Sequence, residues 1–359
     1  MSIASEIQRI KGNIEDAYTE CENKGATLPQ NQNSDNLATT IASISGGGGA
    51  DLSEYFKTDY TSLGSETTSF TQTLLKKLPP INLASNVKSM ENAFRSWGNR
   101  SAALSNLDCQ NITTMQNMFA YSNWFDLDIS KLQNTGNVKN MQSMFESASI
   151  YKNFLNYGSL NTSGATNMSY MFQRATFYTN DGATYIDLDL TNWDKSKVSN
   201  MTSMFSYTNV NKIKINSSNS LTQMSGMFSS CRATEIDISG MNTTNVTTMQ
   251  STFNSLTNVV SLDASSFTAL DNVRISNMFA YSHKLAVIDV SNFEFSKSHT
   301  SYRASVFNQC GDQCLQSDGA YANGIPYVYV KDATEQSTVL GLSGTPSTWS
   351  TNNVVIKSN

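Results

Sequence analysis

The chain has 359 residues, of which 39% are apolar and 15% charged, with a net charge of −5. That length allows a large core and more than one domain, and the regular spacing of the apolar residues excludes a disordered chain. The mildly acidic balance excludes the basic face that nucleic acid needs, and no stretch approaches the roughly 18 apolar residues of a membrane span.

Residues 3–23 predict one helix. Ile3, Ile7, Ile10, Ile14, Ala17 and Cys21 follow the spacing of an a/d heptad seam flanked by charge. Isoleucine at both seam positions favours three or four strands, so a homotrimer is expected, with a helix packed on its own chain as the alternative. Gly25 and Pro29 close the helix, and Leu37, Ile41 and Ile44 add a short amphipathic segment behind an Asn-Ser-Asp-Asn cap signal. Residues 1–44 therefore read as a helical hairpin or coiled-coil segment for attachment or oligomerisation. Its first residues lack the apolar region of a secretory signal. Residues 45–50, Ser-Gly-Gly-Gly-Gly-Ala, form a flexible joint. Residues 51–80 read as the N-terminal cap of a repeat stack.

From there one phrase recurs, Met-x-x-Met-Phe. Its Phe falls at Phe94, Phe119, Phe145, Phe172, Phe205, Phe228, Phe253, Phe279 and Phe307, at spacings of 25, 26, 27, 33, 23, 25, 26 and 28 residues. Four positions earlier stand Met90, Met115, Met141, Met168, Met201, Met224, Met249, Ile275 and Arg303, and thirteen of the fifteen Met serve the pattern. Each repeat also carries a short alternating run, as at Leu107 and Cys109, Leu127 and Ile129, or Ile186, Leu188 and Leu190. Alternation with period two predicts a half-buried strand, and apolar residues at i, i+3 and i+4 predict a helical turn. A unit of about 25 residues cannot bury both faces alone, but stacked copies can. The expected architecture over 81–326 is an α/β repeat, a leucine-rich-repeat-like solenoid of about nine repeats with parallel strands and short helical turns. Residues 327–359 close it, with Trp349 and the stretch Val354–Ile356 over the last repeat.

The search for chemistry yields little. His283 and His299 have no companion nucleophile motif, and phosphate loops, dinucleotide fingerprints and His-Glu-x-x-His are absent. Asp126 with Asp128, and Asp187 with Asp189, are paired carboxylates of the kind glycoside hydrolysis uses. Related Asp108, Asp237, Asp263 and Asp289 favour a structural or binding row over a unique catalytic pair. Five cysteines share no repeat position, which argues for buried or free thiols, and the Cys310-x-x-x-Cys314 spacing leaves a bridge or metal pair open. Sequons at Asn111, Asn200 and Asn245 fall in repeated turns and are explained by turn chemistry. No enzyme activity, cofactor or metal is expected.

The better functional clue is aromatic. The segments between repeats carry Tyr121, Trp124, Tyr207 and Tyr281, and the lengthened 147–193 region carries Tyr151, Tyr157, Phe177, Tyr178, Tyr185 and Trp193. Such side chains stack on sugars and anchor protein interfaces. That region is the candidate ligand-binding patch, with core or turn packing as the alternative for each residue.

Units such as IDLDLTNWDKSKVSNMTSMFSYT and IDISGMNTTNVTTMQSTFNSL resemble the BspA-like leucine-rich-repeat surface proteins, in the branch of mycoplasma-type surface lipoprotein repeats. The resemblance covers roughly residues 81–330 and implies a bacterial surface or adhesive role. Residues 1–44 resemble the leader preceding variable modules in bacteriophage tail and head-fibre proteins. Together these imply a virion fibre or decoration protein, made in a host cytoplasm and released by lysis. Its N-terminal segment would meet other virion proteins, and its solenoid a host surface glycan or protein, without membrane insertion. A cellular adhesin of the same repeat family is the alternative, and a glycan depolymerase the third reading.

Overall fold

The computed structural model describes residues 14–19, 21, 81–82, 87–97, 107–179, 184–314 and 325–357. Ile3, Ile7 and Ile10 of the expected seam, the glycine joint and the expected cap at 51–80 lie outside them. Residues 14–19 and Cys21 are helical, and Ala17, Tyr18 and Cys21 are buried.

The described residues from 81 onward form a parallel-strand β-solenoid of about nine coils, one for each repeat phenylalanine. Its strands are, in chain order, β1 (Ile81–Asn82), β2 (Leu107–Asp108), β3 (Asn123–Asp128), β4 (Leu132–Gln133), β5 (Ser149–Leu155), β6 (Thr176–Phe177), β7 (Asp187–Asp189), β8 (Lys212–Asn216), β9 (Glu235–Gly240), β10 (Ser261–Asp263), β11 (Val287–Asp289), β12 (Tyr327–Val330) and β13 (Val354–Ile356). They pair in parallel as β1-β2-β4, β3-β5-β6, β7-β8-β9 and β10-β11-β12-β13. The alternating runs read from the sequence supply β2, β3 and β7 to β11, with Leu188, Ile213, Ile236, Leu262 and Ile288 buried.

The Met-Phe segments do not form the expected helical turns. In the second coil the N–H groups of Met115, Asn117, Phe119 and Tyr121 donate to the carbonyls of Asn140, Gln142, Met144 and Glu146 of the next coil at 2.7–3.0 Å. The alternate N–H groups of Met118, Ala120 and Ser122 turn back to the carbonyls of Met115, Asn117 and Phe119. The remaining N–H, of Gln116, donates to the Thr114 hydroxyl. Every donor from 115 to 122 is thus placed: four bond between coils, three in overlapping β-turns and one to a side-chain hydroxyl. Two residues per unit take a left-handed conformation to achieve this, such as Asn117 and Tyr121 at φ of 56° and 59°, or Ser203 and Tyr207 at 53° and 58°. The i, i+3, i+4 spacing still aims both Met and the Phe inward, so the same pattern serves these turns as well as a helix. A helix would bond only within its own chain segment, whereas coils stacked about 4.8 Å apart bring carbonyls of the next coil within hydrogen-bond reach. The α/β leucine-rich-repeat expectation is thereby corrected to a β-solenoid with few helices.

The inward phenylalanines meet. From Phe94 to Phe307 each ring stacks on the next, at centroid separations of 5.2–5.6 Å and interplanar angles of 4–13°. Buried Met columns flank this stack. The repeats whose sequence departs furthest keep the geometry: Phe279 stacks on Phe307 at 5.2 Å although Arg303 replaces the leading Met.

Short polar side chains hold the corners. Asn200 accepts from the Thr202 N–H at 2.9 Å, as Asn140 and Asn167 do from Gln142 and Ser169. Asp128, Asp189, Asp263 and Asp289 at strand ends, and Asp237 within β9, each accept from the N–H two residues on, an Asx-turn. At the far end Trp349 lies 5.1 Å from Phe307 and closes the ring stack. The helix Ala333–Leu340, capped by Asp332, buries Glu335 against the hydroxyl and N–H of Ser296.

Two substitutions separate stacking from backbone strain. Phe205→Ala opens the middle of the ring column and should lower stability by about 3–5 kcal/mol. Ser203→Gly relieves a left-handed residue whose cost is about 1–2 kcal/mol and should raise stability by a fraction of that. Urea unfolding followed by tryptophan fluorescence reads both, and a destabilised Ser203→Gly protein would refute the strain assignment.

Candidate binding surface

In the second to fifth coils, the side chains just after the Met-Phe turn alternate outward and inward. Along Ser147, Ala148, Ser149, Ile150 and Tyr151 the second and fourth are buried, and the same holds for Tyr207 to Asn211. One outward face therefore carries, coil by coil, Tyr121 and Asn123, then Ser147, Ser149 and Tyr151, then Arg174, Thr176 and Tyr178, then Tyr207, Asn209 and Asn211. The left-handed corner residue leads each row, and parallel pairing of Asn123, Ser149, Thr176 and Asn209 keeps the rows in register.

Tyrosines flank this face. Tyr151 stacks on Tyr178 at 5.3 Å and 11°, and Tyr178 meets Tyr185 at 5.4 Å. Tyr185 reaches it because an antiparallel bridge between Tyr178 and Tyr185 folds the 33-residue coil back on itself. On the other side Tyr121 and Tyr207 are 43% and 48% exposed. Arg95 lies 4.9 Å over the Tyr121 ring and Arg174 lies 5.5 Å over Tyr207. The Tyr121 hydroxyl donates to Glu146 at 2.9 Å, and that bond, with the Glu146 charge, raises the phenol above its usual range. Between the aromatic rows the floor is polar, with the Asn209 amide donating to the Thr176 hydroxyl at 2.8 Å and Arg232 donating to Asn209 at 3.2 Å.

Half of the expected patch is not surface. Phe177 is 0% and Trp193 3% exposed, both against Phe172, because a strand residue one step from Tyr178 must point inward. Trp124 is also buried and packs edge-on to Phe94 and Phe119. Tyr157 is half-buried and structural: it stacks on Phe154 and its hydroxyl accepts from the Asp189 N–H. Tyr151, Tyr178 and Tyr185 remain as a partly exposed cluster. The sequence reading missed Arg95, Arg174 and Arg232. The available signal was that Arg174 holds the position taken by Tyr121 and Tyr207 two coils earlier and one coil later.

Several charged groups elsewhere are committed to partners in their own chain. Asp189 and Asp237 are held below the usual carboxylate range by hydrogen bonds from Thr191 and Ser239, and Asp187 accepts from Asn211 at 2.6 Å. Lys212 pairs with Glu235, Lys214 with Asp237 and Lys357 with Asp289. Burial pushes the Cys109 and Cys231 thiols up to about 12, and Cys310 and Cys314 are buried free thiols. Among the described residues no group of three or more His, Cys, Asp or Glu stands placed to hold a metal, and no helix is long and apolar enough to cross a membrane.

A family model described as Mycoplasma protein of unknown function, DUF285, matches residues 88–216 and 208–312. No curated protein and no solved structure matches the chain.

Lys195, behind the Trp193 corner, is buried and donates to the carbonyls of Leu190 and Trp193 at 2.6 and 2.7 Å. Burial brings its pKa down to about 8 from 10.5. Between those values the unfolded chain binds the extra proton, so this group makes stability rise with pH from about 8 to about 10. Subtracting the pH profile of Lys195→Met from that of the wild type should leave that rise, read as a urea midpoint; a flat difference refutes the depressed pKa.

Proposed function

This chain belongs to the DUF285 family, and from that premise we propose that it is a non-enzymatic recognition protein whose solenoid adheres to a cell surface through the tyrosine-lined face. One observation carries the reading: Tyr151, Tyr178 and Tyr185 cluster half-exposed on a face whose backbone is locked coil to coil. Tyrosine gives large contact area for little lost rotamer freedom, and a rigid platform reduces the ordering cost of binding. The non-enzymatic part is supported by the carboxylates. Asp128, Asp189, Asp237 and Asp289 cap turns with lowered pKa values, the reverse of what a general acid requires.

The carrier we propose is a bacteriophage particle, with residues 1–44 as the attachment and trimerisation segment; the resemblance of those residues to fibre leaders supports it. A cellular surface adhesin is the second reading, and the family description, which names Mycoplasma, favours it. An antibody against residues 325–357 decides the carrier: labelling of released particles supports the first, labelling of intact producing cells the second.

Adhesion itself is tested with the fluorescent full-length protein on intact bacteria of candidate hosts. Wild type should bind saturably, and Tyr151→Ser combined with Tyr178→Ser should weaken binding about tenfold or more, as loss of two aromatic anchors does. Undiminished binding by the double variant refutes the assignment of the face.

A further inference from the structure

Resting on that recognition reading, we propose that the occupant of the face is an extended anionic glycan, a polysaccharide bearing carboxylates, lying along the solenoid axis. The charge distribution points to it. On the strand side of the coils Lys212, Lys214, Lys297, Lys331 and Lys357 each pair with a carboxylate of their own chain. The arginines of the tyrosine face do not: among the described residues Arg95, Arg174 and Arg232 make no ion pair, in a chain of net charge −5. Their side chains are nonetheless held. Arg95 and Arg174 lie over Tyr121 and Tyr207, Arg95 also donates from one end to Asn92 at 3.5 Å, and Arg232 is tied to the Asn209 amide. A guanidinium stacked on a ring keeps its in-plane N–H edge open, which is the geometry that takes a carboxylate in bidentate fashion. Glu146, the carboxylate lying among them, gives one oxygen to the Tyr121 hydroxyl and makes no ion pair with these arginines.

Spacing adds the extended shape. Arg95, Arg174 and Arg232 belong to the first, fourth and sixth coils, so at about 4.8 Å per coil they span roughly 24 Å along the axis. Asn123, Ser149 and Asn209 run down the middle of the same face as half-buried hydrogen-bonding side chains, with the buried Thr176 between Ser149 and Asn209 in the same file. Sugar rings have apolar faces for tyrosines and hydroxyls for such a floor. A protein partner would instead call for an apolar centre inside a polar rim, and a nucleic acid for many more cations than these.

Calorimetry on the full chain tests this with a hexamer of β-1,4-linked mannuronate and its neutral counterpart, β-1,4-mannohexaose. The acidic hexamer should bind more tightly than the neutral one. Arg174→Gln should weaken the acidic hexamer about tenfold, the effect of losing a charge-assisted contact, and leave the neutral hexamer unchanged. Arg274→Gln, whose guanidinium lies over Tyr302 outside this face, should bind as wild type. Equal affinity for the two hexamers, or an Arg174→Gln protein that binds as wild type, overturns the anionic assignment. Failure of both hexamers to bind a protein that still adheres to cells overturns the glycan while leaving recognition standing. Loss of recognition itself is read separately, from the tyrosine double variant on cells.

Discussion

The structure depends on one accounting constraint: every backbone N–H of the Met-Phe segment must find an acceptor while three side chains per unit point inward. Alternate donation, one N–H to the next coil and the following one back into a β-turn, meets it from Met115 through Ser122 and again from Met201 through Thr208. Left-handed residues at two fixed positions make the alternation possible. Each costs energy that the hydrogen bonds it permits offset.

The ring column follows from that ladder. Coils bonded at four points per interface cannot slip relative to one another, so the phenylalanine of each is delivered over the last. Offset aromatic pairs add about 0.5–1.5 kcal/mol beyond area burial, and the near-parallel rings repeat from Phe94 to Phe307. The methionines beside them fill gaps that vary with coil length, which runs from 23 to 33 residues. Variation is therefore admitted in the connecting segments and excluded from the turn. The proposed binding face sits where those two regimes meet, led by a corner residue the ladder holds rigid and completed by the extended coil that brings Tyr185 onto Tyr178.

The candidate surface shows how burial sorts a group of aromatics that composition treats alike. Tyr178 and Phe177 are neighbours in the chain, yet one lines the face and the other joins the core against Phe172. Trp193 looked like a surface anchor because it lies in the longest repeat, but its indole N–H donates to the Tyr157 carbonyl at 3.0 Å and its ring packs on Phe172. The arginines escaped notice because the repeat position that Arg174 shares with Tyr121 and Tyr207 gains meaning only when the coils are stacked. Only the coil register places Arg174 beside Tyr207.

The sequence by itself determined the repeat, the strands of the alternating runs and the inward Met and Phe of each turn. Those rest on local periodicity: Leu188 alternates with Asp187 and Asp189, and Met201, Met204 and Phe205 share one side of whatever turn they form. Only the tertiary structure decided that this turn is a chain of β-turns, that the rings stack, and which aromatics stay in solvent. The left-handed residues, the inter-coil bonds and the burial of Phe177 or Trp193 all require the coils above and below, and a single unit of sequence does not contain its neighbours.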